Sequence, residues 1–175
     1  MGWGIVDGRG SHYAAVAHGV LRVRADLPIA ERLKVLVLGL RRVIAEHAPR
    51  EAALEEVFYG KDVRAAVRIG EGRGAALVVL AEAGIPVTGY ANNVVKKAVS
   101  GGGRAQKERV LGMITRILHL TESPETLDAS DALALALCHH QRRGITREAG
   151  GVSPRIAAAI AQTRAKPTGR GASTR

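Results

Sequence analysis

The spacing of apolar residues changes repeatedly along the first 142 residues, and that succession constrains the fold more than any single motif. Residues 4–6 and 13–23 are rich in Val, Ile and small side chains and are separated by Asp7-Gly8-Arg9-Gly10, the pattern of two strands joined by a glycine-containing turn. From 28 to 47, Ile29, Leu33, Leu36, Val37, Leu40, Val43 and Ile44 recur at helical spacing. Pro28 lies in the first turn and Pro49 just beyond the end. A short strand is expected over 52–57, a loop at Phe58-Tyr59-Gly60-Lys61 and a long helix over 62–83. Residues 85–90 read as a strand opened by Gly84 and Pro86. Helices follow around 92–99 and 105–118, then a loop over 120–127 and a last helix over 128–142. Hairpin strands followed by alternating helices and strands predict an α/β fold, a mixed sheet with helices packed on it.

Gly70, Gly72 and Gly74 interrupt the long helix, and each costs about 1 kcal/mol relative to alanine. Their expected return is close packing against a neighbouring element. Gly70, Gly72 and Ala75 also fit G-x-G-x-x-A, but a dinucleotide site needs a preceding strand and an acid about 20 residues on. Here a helix precedes, and no acid lies around Val95. No G-x-x-x-x-G-K-[ST] or H-E-x-x-H string occurs. His139 and His140 close the last helix, where a cationic ring suits the C-terminal dipole.

Composition removes further classes. The single cysteine, Cys138, can form neither an internal disulfide nor a cysteine-based zinc finger, and it points to a reducing, cytoplasmic setting. The apolar run 75–81, which no other exceeds, is far short of the ~20 residues of a membrane span, and the first ten residues lack the pattern of a signal peptide. A net charge of +10 points to a polyanion such as nucleic acid. Residues 141–175 contribute +7 of it and are rich in Gly, Ala, Ser and Thr. The expected organisation is a globular domain over 1–142 and a basic, mostly flexible tail over 143–175, with a short helix at 154–164. Such a tail would hold phosphates without reading sequence, or act only as a solubilising appendage. A second cluster, Lys96, Lys97, Arg104, Lys107 and Arg109, flanks Ser100-Gly101-Gly102-Gly103, where a phosphate chain could approach closely.

The acids suggest chemistry. Glu55 and Glu56 lie inside an apolar strand, so alternation sends one to each face. A carboxylate there is costly unless it reaches solvent, a partner or a metal. Asp128 and Asp131 share a helix face at i, i+3. Two readings stand: Asp128 as N-cap with Asp131 at the third position, or ligation of a hard cation. Magnesium usually takes one or two carboxylates plus substrate phosphate, and two such ions can hydrolyse a phosphodiester.

Together these strings resemble the RuvC family, the bacterial Holliday junction resolvases. The resemblance runs from Gly2 to His140. It is carried by Gly2-Trp3-Gly4-Ile5-Val6, Leu54-Glu55-Glu56-Val57-Phe58, Gly70-Glu71-Gly72-Arg73-Gly74, Tyr90-Ala91, Val95-Lys96, Lys107 and Asp128-Ala129-Ser130-Asp131-Ala132-Leu133-Ala134. It implies a ribonuclease-H-like fold, a homodimer, dependence on Mg2+ with two ions per active site, and paired nicking of four-way DNA junctions in recombination and repair. Contact with the RuvAB branch-migration complex is implied in the same way. Glu55, Asp128 and Asp131 match metal-binding, catalytic acids of the family. Phe58 matches an aromatic that contacts junction bases, and Lys96 and Lys107 match residues that contact DNA phosphate.

The sequence departs from the family at its front. The family begins with a strand ending in an Ile-Asp-Pro-Gly-like turn, whose Asp is a fourth metal ligand, ahead of the Gly-Trp-Gly segment. That strand and its Asp are absent from this sequence, and Asp7 aligns with the far end of the next strand. The expectation is that Met1 is an internal methionine and that, without the strand, its two neighbours lose their ladder partner. The 175 residues alone would cleave feebly and could act as a catalytically silent junction-binding protein. A scaffold acting only through protein contacts is a further alternative, disfavoured by the basic cluster.

Overall fold

β1 (Gly2–Arg9) and β2 (His12–Val20) form an antiparallel pair, registered from Gly2 opposite Val20 to Arg9 opposite His12, with a bulge between Ile5 and Val6. This computed structural model describes residues 1–56, 63–102 and 107–143. The turn falls at Gly10-Ser11, not across Asp7–Gly10 as expected. Gly10 has φ 61° and fills the first central position of a two-residue turn, where positive φ suits glycine. Asp7, Gly8 and Arg9 therefore remain in the ladder.

The chain then enters α1 (Ile29–His47), stopped at Ala48, which has left-handed φ 43° and donates its N–H to the Ile44 carbonyl. Pro49 follows and cannot continue the helix. β3 (Ala52–Glu55) and β4 (Val87–Tyr90) pair in parallel, Ala52 with Val87 and Glu55 with Tyr90. The crossover between them contains α2 (Val63–Glu82), as a parallel pair requires. Three more helices follow among the described residues: α3 (Asn92–Ser100), α4 (Lys107–Ile117) and α5 (Leu127–Arg142).

Among the described residues the strands form two separate pairs, β1–β2 and β3–β4, with no ladder joining them. Helix α5 unites them. It packs on β1, β2 and β3 and also against α3 and α4. Leu133, Leu137 and Cys138 of α5 are fully buried with Val99 and Ile114, and this is the main core. β1 reaches α5 closely because it is glycine-rich on that face. A Cβ on Gly2 would overlap the Asp128 carbonyl, and one on Gly4 would stand 2.9 Å from Leu133 Cδ2.

The glycines of α2 behave differently from expectation. Gly72 does pack closely, with its Cβ position 3.6 Å from Met1 Cε and 3.9 Å from Leu36 Cδ1, whereas Gly70 and Gly74 meet nothing within 4 Å among the described residues. α2 packs on α1 through only part of its circumference. The two outer glycines lie off that seam.

Candidate nucleic-acid interface and acidic site

β3 delivers Glu55 to the end of the parallel pair, where its side chain is exposed. Two helices grip it. Asn92 Nδ2, in the first turn of α3, donates to Glu55 Oε1 at 2.8 Å, and Arg73 Nε, in α2, donates to the Glu55 backbone carbonyl at 3.1 Å. The next residue, Glu56, donates its N–H to the Tyr90 carbonyl at 2.9 Å, and its carboxylate lies beside Gly89. The two glutamates thus find different surroundings, as strand alternation requires.

Asp128 and Asp131 are exposed on the first turns of α5. The capping reading of Asp128 is corrected: Thr126 is the N-cap, in extended conformation, and its hydroxyl accepts the Ala129 N–H at 3.3 Å. Asp128 is consequently the second helical residue and Asp131 the fifth, so neither side chain occupies the cap position.

Glu55, Asp128 and Asp131 supply only carboxylate oxygens, the donors a hard divalent cation takes. Asp128 and Asp131 are one turn apart on one helix face, which suits the one or two carboxylates that magnesium commonly uses. A cage of three is not formed. Among the described residues, no three His, Cys, Asp or Glu side chains gather closely enough to hold a metal ion.

Lys96 is half-buried in α3, and Lys107 opens α4. Phe58, with the expected loop at 58–61, and the basic tail beyond Arg143 lie outside the described residues. α3 ends at Gly101, with φ 74°, the left-handed stop that glycine favours.

Long-range polar contacts escaped the sequence. His139 Nε2 lies 3.0 Å from Glu51 Oε2, and Nδ1 shares a 3.0 Å hydrogen bond with the Tyr90 hydroxyl. Arg143 pairs with the other Glu51 oxygen at 2.9 Å. His140 Nε2 bonds the Val6 carbonyl at 3.0 Å, its ring tilted against Tyr13. The last turn of α5 is therefore tied to both strand pairs, beyond any interaction of its rings with the helix dipole. The grip of Asn92 and Arg73 on Glu55 was also unforeseen. Its one visible signal was Arg73 within the glycine-interrupted helix. Burial pushes the Cys138 thiol above its ordinary pKa, with the nearby Arg142 charge opposing.

The whole domain has counterparts. Residues 1–139 match the family model described as Crossover junction endodeoxyribonuclease RuvC. The chain belongs to the RuvC family. A protein of that description from Methylorubrum populi is 41% identical over 170 residues, covering 92% of this chain and 89% of the relative. One from Rhodopseudomonas palustris is 46% identical over 143 residues, covering 82% of each. The Thermus thermophilus RuvC structure aligns with a TM-score of 0.74 at 33% identity, over 82% of this chain and 89% of that one. T. thermophilus RuvC in complex with Holliday junction substrate aligns at 0.75 and 34%, over 81% and 87%. These likenesses give the chain the ribonuclease-H-like fold of the family. They bear out the expected α/β class.

Proposed function

We propose that this protein is a structure-selective DNA endonuclease that resolves four-way junctions in recombination and repair. The observation that carries the reading is the likeness, across four-fifths of the chain, to a RuvC structure bound to Holliday junction substrate. In this reading Glu55, Asp128 and Asp131 are the catalytic acids. They would hold magnesium together with the scissile phosphate, as one or two carboxylates commonly do. When bound, a pair of such ions supplies an activated water and charge stabilisation at the leaving oxygen. Lys96 and Lys107 neutralise phosphates, Phe58 stacks on junction bases, and the basic tail adds sequence-independent affinity.

Symmetric nicking calls for a homodimer. α1 and α2 offer apolar surface for a second copy: Leu38, Val67, Ile69 and Val78 are each more than half exposed. A cytoplasmic setting and docking with the RuvAB branch-migration complex complete the proposal. No helix among the described residues is long and apolar enough to cross a membrane.

Junction binding without efficient cleavage is a second reading, favoured by the absence of a three-acid group among the described residues. One experiment separates the two. The full chain is incubated with a labelled synthetic four-way junction and excess duplex competitor, with magnesium or with chelator. Paired symmetric nicks that require the metal support the endonuclease. A retained gel shift without nicks supports the binding protein. Equal affinity for junction and duplex sinks both.

A further inference from the structure

Arg73 has a fixed anchor and an uncommitted charge. Its Nε donates to the Glu55 carbonyl at 3.1 Å, which pins the guanidinium beside the acid. Yet it forms an ion pair with neither Glu55 nor Glu56 among the described residues. The Glu55 carboxylate is taken by Asn92 instead. The two terminal amino groups carry no hydrogen bond among the described residues. They are also not among the buried, unsatisfied side-chain atoms, of which Arg32 Nε is the one found there, so they reach solvent. Among the described residues the surroundings are open: Gly70, one turn earlier on the same face of α2, and Gly74, the next residue, have nothing within 4 Å of where a Cβ would stand.

A solvent-facing guanidinium held by one nitrogen keeps four N–H donors in a planar fork, the geometry that binds phosphate through two parallel hydrogen bonds. Pinning Nε orders the side chain in advance, so less freedom is lost when the fork closes on its ligand. The glycines leave room for a phosphate chain to approach the helix. We propose that Arg73 contacts a DNA backbone phosphate immediately beside Glu55, adding a cation from α2 to the interface otherwise built from α3 and α4. This rests on the reading that the ligand is junction DNA.

The test is equilibrium binding of the full chain to a synthetic four-way junction in chelator, over a range of KCl concentrations. Arg73→Gln keeps an amide donor for the Glu55 carbonyl but removes the charge. It should weaken binding about three- to tenfold and flatten the log–log salt slope by about 0.9, the loss of one phosphate contact. Arg73→Lys should restore the slope. A purely structural role would leave the slope unchanged, and an unchanged slope in a folded Arg73→Gln overturns the proposal. Should that variant not fold, phenylglyoxal modification of the wild-type chain decides: junction DNA should protect Arg73, and equal modification with and without DNA overturns the contact. Lys96→Ala serves as the control. If Lys96→Ala flattens the slope and Arg73→Gln does not, only the assignment of Arg73 falls. If neither does and duplex competes as well as junction, the junction-binding reading falls with it.

Discussion

The first turns of helix α5 carry exposed charge beside a buried inner face, and its second half ends in a web of buried and polar contacts. At its start, Thr126 caps the first turn, Leu127 is half exposed, and Asp128 and Asp131 face outward. Its inner face is buried from Ala129 and Ser130 through Leu133, Ala134, Leu137 and Cys138, and its last turn is fastened to the parallel strands by His139 and to the hairpin by His140. The contrast assigns different work to the two halves. Packing and the histidine contacts hold the helix in place between two strand pairs that share no ladder among the described residues. That anchoring lets the other end present the exposed carboxylates of Asp128 and Asp131.

The largest effect that would test this division comes from the core. Leu137→Ala should cost about 2–5 kcal/mol by denaturant unfolding, because the side chain is fully buried. Leu127→Ala, at the exposed end, should cost a small fraction of that. Comparable losses at the two positions would break the comparison. Next comes His139→Ala, expected to cost about 1–3 kcal/mol, since it removes the hydrogen bonds that its ring makes with the Tyr90 hydroxyl and with Glu51. Hydrogen exchange should then rise in β4 as well as in α5. Thr126→Ala should cost about 0.5–2 kcal/mol through loss of the cap and should raise exchange in the first turn alone.

The smallest effect concerns pH. The native state holds the Cys138 proton more tightly than the unfolded chain, because burial raises the thiol pKa above its ordinary 9.0. The associated stability is complete below that value and is lost as pH rises through and above it. The wild type should therefore lose stability faster than Cys138→Ala in alkaline titrations. Iodoacetamide should label Cys138 only after unfolding. Rapid labelling of the native chain would show that the sealed half of α5 opens readily.

Helical elements were largely legible in the sequence because their apolar spacing extends over three or more turns. α1 and α5 begin and end within a residue or two of expectation. The hairpin turn was misplaced because Asp7-Gly8-Arg9-Gly10 holds two glycines, and only the register of the pair shows which one bends. Asp128 resembled a cap by type and spacing, but Thr126 lay two residues earlier with the backbone conformation a cap needs. The web around His139 joins residues 49 and 88 positions apart, and no local pattern announces such a contact. Gly2 and Gly4 were legible only as part of a family resemblance. Their physical reason, the close approach of β1 to α5, required the packed structure. The acids were picked out by type and position, while the grip of Asn92 and Arg73 on Glu55 depends on how α2 and α3 return to the same strand end.

The central claim, that the exposed carboxylates at the start of α5 serve chemistry while its buried face and last turn serve stability, is tested most directly by Asp128→Asn. Strand cleavage of a synthetic four-way junction is mapped with magnesium at protein concentrations that saturate binding, beside the unfolding midpoint of the same sample. The account predicts that nicking falls at least about a hundredfold, as expected when a side chain acting on the reacting centre is lost, while junction binding and the unfolding midpoint stay at wild-type values. Wild-type nicking by Asp128→Asn, or a loss of nicking that merely follows a loss of folding, would contradict it.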